Sequence, residues 1–162
     1  MDVSTEDSNS IIAQTYYKHV DMVYRICFMF LRNVPDTEDA VQSVFLKFIQ
    51  SGKAFTDPEH EKAWLIVTAQ NHCKNMLKFW WRRKRFNLAD LPESTQNPNS
   101  NEVFEQLIAL PYKYRTVLYL YYYEGYSSKE IAELLGINDS TIRTQLRVGR
   151  KQFKLQIQEG KI

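Results

Sequence analysis

The chain has 162 residues, with 21 Lys and Arg against 19 Asp and Glu, two Cys, and five each of Gly and Pro. That length suits one ordinary domain or two small ones. Hydrophobic residues at 44% and charged residues at 25% exclude wholesale disorder, and scarce Gly and Pro argue against a many-turned all-β chain.

The chain opens with MDVSTEDSNS, polar and acidic, with no basic segment ahead of an apolar one. No ordinary secretory signal is expected. Ile12, Tyr16, Val20, Val23, Ile26, Cys27, Phe30 and Leu31 then recur at three- and four-residue spacing, as an amphipathic helix requires. Asn33-Val34-Pro35 should stop it. Asp36, Glu38 and Asp39 load the first turn of a second helix with negative charge, which favours the positive end of its dipole. Its apolar stripe is Ala40, Val41, Val44, Phe45, Phe48 and Ile49, and Ser51-Gly52 ends it. Opposite the stripe lie Asp39, Gln42, Ser43, Leu46 and Lys47, with Leu46 an apolar residue on a polar side.

A short connection from Lys53 to His60 leads to a third, long helical pattern from about Glu59 to Arg85. Its apolar members include Trp64, Leu65, Ala69, Cys73, Met76, Leu77 and Trp80. In its second half Asn71, Lys74, Asn75, Lys78, Arg82 and Arg85 share one face. Six cations between residues 74 and 85 are interleaved with Trp80 and Trp81. Basic groups meet phosphates and aromatic rings stack on unpaired bases, a combination suited to melting DNA. The plainer reading is a core Trp beneath solvated cations.

Residues 86–100, FNLADLPESTQNPNS, have the composition of a linker and mark a domain boundary. The expected domains are 1–85 and 101–162. Helical patterning resumes near Asn101. Ser127-Ser128-Lys129-Glu130 reads as a capping box, followed by the apolar face Ile131, Ala132, Leu134 and Leu135 and by Gly136, suited to a left-handed turn. Asn138, Asp139 or Ser140 can cap the next helix. That helix carries Ile142, Leu146, Phe153 and Ile157 on one side and Arg143, Thr144, Gln145, Arg147, Arg150, Lys151 and Lys154 on the other. A short helix, a Gly turn and a basic second helix make a helix-turn-helix, whose second helix would enter the major groove. The expected fold is all-α: two small helical domains joined by a flexible linker, the C-terminal one a helix-turn-helix.

Catalysis and metals find no support. There is no G-x-G-x-x-G, Walker or G-x-S-x-G motif, so no cofactor and no enzyme are expected. His19, His60 and His72 lack metal-ligand spacing, and Cys27 and Cys73 form no C-x-x-C pair. A reducing, cytoplasmic setting fits. His72 beside Cys73 makes no nucleophile pair, because helical neighbours point about 100° apart. No apolar run approaches the roughly 18 residues that span a bilayer.

Three stretches resemble the extracytoplasmic-function sigma factors of the sigma-70 family: TEDAVQSVFLKF at 37–48, AWLIVTAQNHCKNMLKFWWRRKR at 63–85 and LPYKYRTVLYLYYYEGYSSKEIAELLGINDSTIRTQLRVGRK at 110–151. The resemblance implies a transcription initiation factor with two partners, core RNA polymerase and promoter DNA. It assigns Asp39, Gln42, Phe45 and Leu46 to the clamp coiled coil of the largest polymerase subunit, and the C-terminal domain to the beta flap. It assigns the loop from Phe55 to Lys62 to capture of a flipped base of the minus-ten element, and Trp64 to minus-ten DNA binding. Asn71, Lys74, Asn75, Lys78 and Arg82 fall on the minus-ten-reading face. Ser127, Ser140, Thr141, Arg143, Thr144, Arg147, Arg150 and Lys151 fall on the minus-thirty-five-binding surface. An anti-sigma factor, often membrane-bound, is a common further partner. Two departures stand out: Asn75 where the family often has Asp, and Val148-Gly149-Arg150 where it usually has Arg-Ala-Arg. Gly149 costs about 1 kcal/mol of helix propensity relative to Ala. A free-standing helix-turn-helix regulator would explain residues 110–157 but leave the second and third helices without a role.

Overall fold

The computed structural model describes residues 3–84 and 102–159. Seven α-helices and no strand occur among the described residues, and the chain divides into two compact units, residues 1–95 and 96–162. The expected linker at 86–100 and Arg85 lie outside the described residues. No described helix is long and apolar enough to cross a membrane.

The first unit holds α1 (Val3–Leu31), α2 (Val34–Ser51) and α3 (Pro58–Lys84). α1 begins well before the apolar pattern at Ile12. Its last two turns are covered all round: Ile26, Cys27, Phe28, Met29, Phe30 and Leu31 are all buried, because both α2 and α3 pack on this helix. A helix apolar on every side is a buried helix. Tyr16, counted in the expected stripe, is instead exposed, and the buried positions near it are Thr15 and His19. The His19 imidazole meets the Glu61 carboxylate at 3.0 Å, tying α1 to the first turn of α3.

α1 stops at Leu31, before Asn33-Val34-Pro35 as expected, but these residues form no loop, since Val34 and Pro35 already open α2. Arg32 closes α1 in the left-handed region at φ 58, and Asn33 immediately caps α2. The Asn33 side chain accepts from the Asp36 amide at 2.9 Å and donates to the Leu31 carbonyl at 3.0 Å. Pro35 sits in the first turn of α2, where a missing N–H costs nothing. The α2 stripe holds except at its end: Ile49 is 48% exposed.

Cys27 and Cys73 are both buried and free. The Cys27 thiol is pushed well above its ordinary value by a hydrogen bond with Cys73 and by burial, which leaves it a packing residue rather than a nucleophile.

The second unit holds α4 (Glu102–Ile108), α5 (Tyr112–Tyr122), α6 (Ser128–Leu135) and α7 (Asp139–Glu159). Its core gathers Phe104, Leu107, Leu118, Tyr119, Ile131, Ile142 and Leu146. The Arg115 guanidinium is buried and donates to the Ile108 carbonyl at 2.9 Å, which fixes the end of α4 against α5. The capping box is complete: the Glu130 amide donates to Ser127 Oγ and the Ser127 amide to Glu130 Oε1, each at 3.1 Å. Those contacts hold the Glu130 carboxyl below its ordinary value. Gly136 ends α6 at φ 65, a conformation that side chains with a Cβ adopt at a cost. The Asn138 carbonyl accepts the first amide bond of α7, from Ile142 at 3.1 Å.

Gly149 is buried in the crossing of α7 over α5. A Cβ there would lie 3.1 Å from Tyr114 Cβ and 3.3 Å from Leu118 Cδ1. The helix-propensity cost of this glycine is therefore offset by close approach of two helices. Tyr114 Cβ cannot swing aside, so the helices must separate to admit a methyl group. Gly149→Ala should destabilise the second unit by about 1 kcal/mol, the surplus of overpacking over regained propensity, and Gly149→Leu by more. Hydrogen exchange of α5 and α7 amides in the full chain measures this; an unchanged or slower rate in Gly149→Ala would refute it.

Candidate nucleic-acid and partner interface

α3 presents the polar row that its spacing predicts. Asn71, Asn75, Lys78 and Arg82 are exposed and Lys74 is half-buried beside them. Phe79 and Trp81 are both more than half exposed, while Trp80 is half-buried behind them. At about 100° per residue, Phe79 and Trp81 flank the Lys78–Arg82 row on either side. The Arg83 guanidinium lies 5.2 Å from the Phe79 ring centroid. Of the two neighbouring tryptophans, Trp80 is thus half covered and Trp81 faces solvent.

Trp64 stands two turns before Asn71 on the same row, but it is half-buried in an aromatic cluster. Its ring centroid is 6.0 Å from Phe48 and 6.1 Å from Phe55, and Phe55 stacks on Phe48 at 6.4 Å. Lys53 Nζ sits 5.8 Å over the Trp64 ring. Phe55 and Trp64 thus pin the loop between α2 and α3 to the end of α2, with Lys62 half-buried alongside.

On α2, Asp39, Gln42 and Leu46 are exposed. Phe45 differs from the expectation. It is only 6% exposed, with the Tyr16 ring 4.9 Å away, edge to face. It belongs to the core and supports the surface from beneath. Ile49, three residues after Leu46, takes its place on the outer face, and the two are 48% and 53% exposed. Their i, i+3 spacing was visible in the sequence, but the stripe absorbed Ile49.

α2 and α3 meet at their polar margins. The Lys47 ammonium donates to His72 Nδ1 at 3.0 Å, so the ring proton sits on Nε2. Burial and the Lys47 charge lower the His72 pKa from 6.5.

On α7, Ser140, Thr141, Arg143, Thr144, Arg147 and Lys151 are exposed. The Thr144 hydroxyl donates to the Ser140 carbonyl at 3.0 Å, and Arg143 Nε lies 3.5 Å from Asp139 Oδ2. Arg150 continues the Arg143 row two turns on, but its guanidinium turns onto the Tyr121 ring at 5.6 Å. It rims an apolar groove of about 320 Å³ formed by Val103, Leu107, Leu118, Tyr122, Tyr123 and Phe153. Arg150 is itself exposed, so it stands where that groove meets the Arg143 row. Ser127, also expected there, engages its hydroxyl oxygen in the α6 cap. On the other flank of α7, Lys113 and Tyr114 of α5 join Ser140, Thr141, Thr144, Gln145 and Val148 around a cleft of about 350 Å³. Lys113 and Gln145 were not among the expected contacts; Lys113 lies outside the helix-turn-helix, where motif reasoning does not look.

Comparison with known proteins agrees with this arrangement. Residues 15–85 match the family described as Sigma-70 region 2, and residues 100–153 match Sigma-70, region 4. The chain is 24% identical over 159 residues to RNA polymerase sigma factor SigV of Bacillus subtilis (strain 168), covering 94% of each. It is 27% identical over 162 residues to ECF RNA polymerase sigma factor SigW of the same organism, covering 86% of this chain and 84% of that one. It is 28% identical over 152 residues to ECF RNA polymerase sigma factor SigE of Mycolicibacterium smegmatis, covering 85% of this chain and 58% of that one. In fold it is similar to the sigma factor RpoE of Bartonella quintana, solved in complex with the anti-sigma factor NepR, with a TM-score of 0.73, 17% identity, and coverage of 90% of this chain and 96% of that one.

The Lys47–His72 contact has a pH signature. A histidine whose folded pKa is lowered takes up its proton in the unfolded chain first. Its contribution to stability is present above the ordinary value of 6.5 and is lost as pH falls through it. His72→Gln should show a shallower loss of first-unit stability than wild type between about pH 7 and 5. Parallel denaturation curves across that range, followed by tryptophan fluorescence, would count against the contact.

Proposed function

The chain belongs to the extracytoplasmic-function group of the sigma-70 family and is a promoter-directing factor of RNA polymerase, and from that premise we propose how its surfaces divide the work. The outer face of α2 docks on the clamp coiled coil of the largest polymerase subunit. Asp39 and Gln42 supply polar contacts, Leu46 and Ile49 the apolar ones, and buried Phe45 holds the helix in place beneath them. Two exposed apolar residues beside two polar ones on a helix suit a helical partner, where a few anchors carry most of the affinity.

Held on polymerase, α3 addresses the minus-ten element. Asn71, Lys74, Asn75, Lys78 and Arg82 line one face, and the loop anchored by Phe55 and Trp64, with Lys62, takes an extruded base. Unstacking that base costs a few kcal/mol, which contacts in the loop offset. α7 addresses the minus-thirty-five element through Ser140, Thr141, Arg143, Thr144, Arg147 and Lys151. The apolar groove with Arg150 at its rim faces the beta flap. The bonds are made by the polymerase; this chain binds, positions and opens DNA, in the cytoplasm where promoter and polymerase are. The fold neighbour was solved with an anti-sigma factor, and a similar protein is a candidate partner here.

The observation that carries this reading is that each unit exposes its own cationic helix, while the outer face of α2 in the first unit exposes Asp39, Gln42, Leu46 and Ile49. A free-standing DNA binder has no use for the α2 face. Asp39→Ala with Gln42→Ala should weaken binding to purified core polymerase by about 2 kcal/mol or more, with helicity unchanged; unaltered affinity would reject the docking face. Arg143→Ala should cost about 1–3 kcal/mol, concentrated at one base pair of the upstream element. Fold stability should hardly move, because its ion pair with Asp139 is at the surface. Holoenzyme affinities across single-base variants of the promoter decide the matter, and a loss uniform across bases would make Arg143 a phosphate ligand.

A further inference from the structure

The cleft between α5 and α7 joins the second helix of the helix-turn-helix to a helix outside the motif. Along α7 it is walled by Thr141, Thr144, Gln145 and Val148, and across from them by Lys113 and Tyr114. Its lining holds one cation, aliphatic hydroxyls and an amide, and no carboxylate among its lining residues. The cation is held locally: Lys113 Nζ lies 5.0 Å from the centroid of the Tyr114 ring. Tyr114 in turn is where Gly149 lets α7 close on α5, since a Cβ at 149 would lie a tight 3.1 Å from Tyr114 Cβ. The glycine that departs from the family pattern therefore brings Lys113 alongside the first turns of α7.

An ammonium is a compact point charge with three donors and no planar fork. It suits a phosphate oxygen better than a base edge, which is read best by bidentate groups. Lys113 also belongs to the helix outside the pair that enters the groove. When a recognition helix lies in the major groove, the sugar–phosphate backbone runs along its flanks, and basic groups standing beside the helix can contact it; such contacts fix register and carry no sequence information.

We propose that Lys113 is a positioning residue of the minus-thirty-five site: it binds a single backbone phosphodiester beside the bases reached by Thr141 and Thr144, and so sets the depth and register of α7. This rests on the sigma-factor reading above and adds a ligand to it.

The test uses the full chain on core polymerase and a duplex promoter selected by the wild-type holoenzyme from a random library. Lys113→Ala should weaken binding about tenfold, equally across single-base variants, and reduce the slope of log affinity against log salt by about 1. Lys113→Arg should retain most of the slope. Replacing phosphates one at a time by neutral methylphosphonates locates the contact. At one position neutralisation should weaken wild type but leave Lys113→Ala unaffected. An unchanged slope, or equal sensitivity of both proteins at every phosphate, overturns the proposal while the promoter reading stands. Failure of the wild-type holoenzyme to select any sequence overturns both.

Discussion

The last two turns of α1 have no solvent face, and the surface of the first unit follows from that. Six consecutive buried residues from Ile26 to Leu31 must be covered on more than one side, and a three-helix unit has only α2 and α3 to do it. Each commits its apolar stripe to α1, and what each turns outward is then fixed. For α2 that is Asp39, Gln42, Leu46 and Ile49; for α3 it is Asn71, Asn75, Lys78 and Arg82. The two surfaces are the remainders of one packing problem. The tight turn at Arg32 and Asn33 belongs to the same problem, since it lets α2 double back without a loop.

Much of this was legible in the sequence, because helical periodicity reports which residues share a face. The capping box at Ser127 and Glu130, the turn at Gly136 and the polar row of α3 are local patterns, and they formed as read. The departures come from tertiary contacts that spacing does not encode. Ile49 is apolar and on the edge of the α2 stripe, but nothing packs over it. Phe45 is in the stripe and is covered by Tyr16, a residue the pattern had placed in the core. Pro35 reads as a helix stop and is equally suited to a helix start. Arg150 has the spacing of a DNA contact and the surroundings of a groove rim, because the Tyr121 ring stands beside it. In each case the deciding partner is remote in sequence or on another helix.

Electrostatics show the same division between sum and distribution. The net charge of +2 results from 21 cations and 19 anions, yet eleven of the cations lie in 74–85 and 143–154, where no acid occurs. One stretch belongs to each unit. Each alone offers a modest, salt-sensitive attraction to phosphate. Joined by a short stretch of chain, two modest sites raise each other's effective concentration, so selectivity arises from satisfying both at once. The acidic residues gather elsewhere, at 2–7, 36–39 and 57–61.

The crossing at Gly149 makes two distant positions a single variable. Where a Cβ would meet Tyr114 at 3.1 Å, the volume between α5 and α7 is shared, and atoms added on one side must be removed from the other. The atom met is the Cβ of Tyr114, which every residue but glycine carries, so a chain with alanine at 149 could keep the same crossing only with glycine at 114, and would then lose the ring beside which Lys113 rests. The residue at 149 thus sets the spacing of α5 and α7, and with it the cleft between them, without lining that cleft itself.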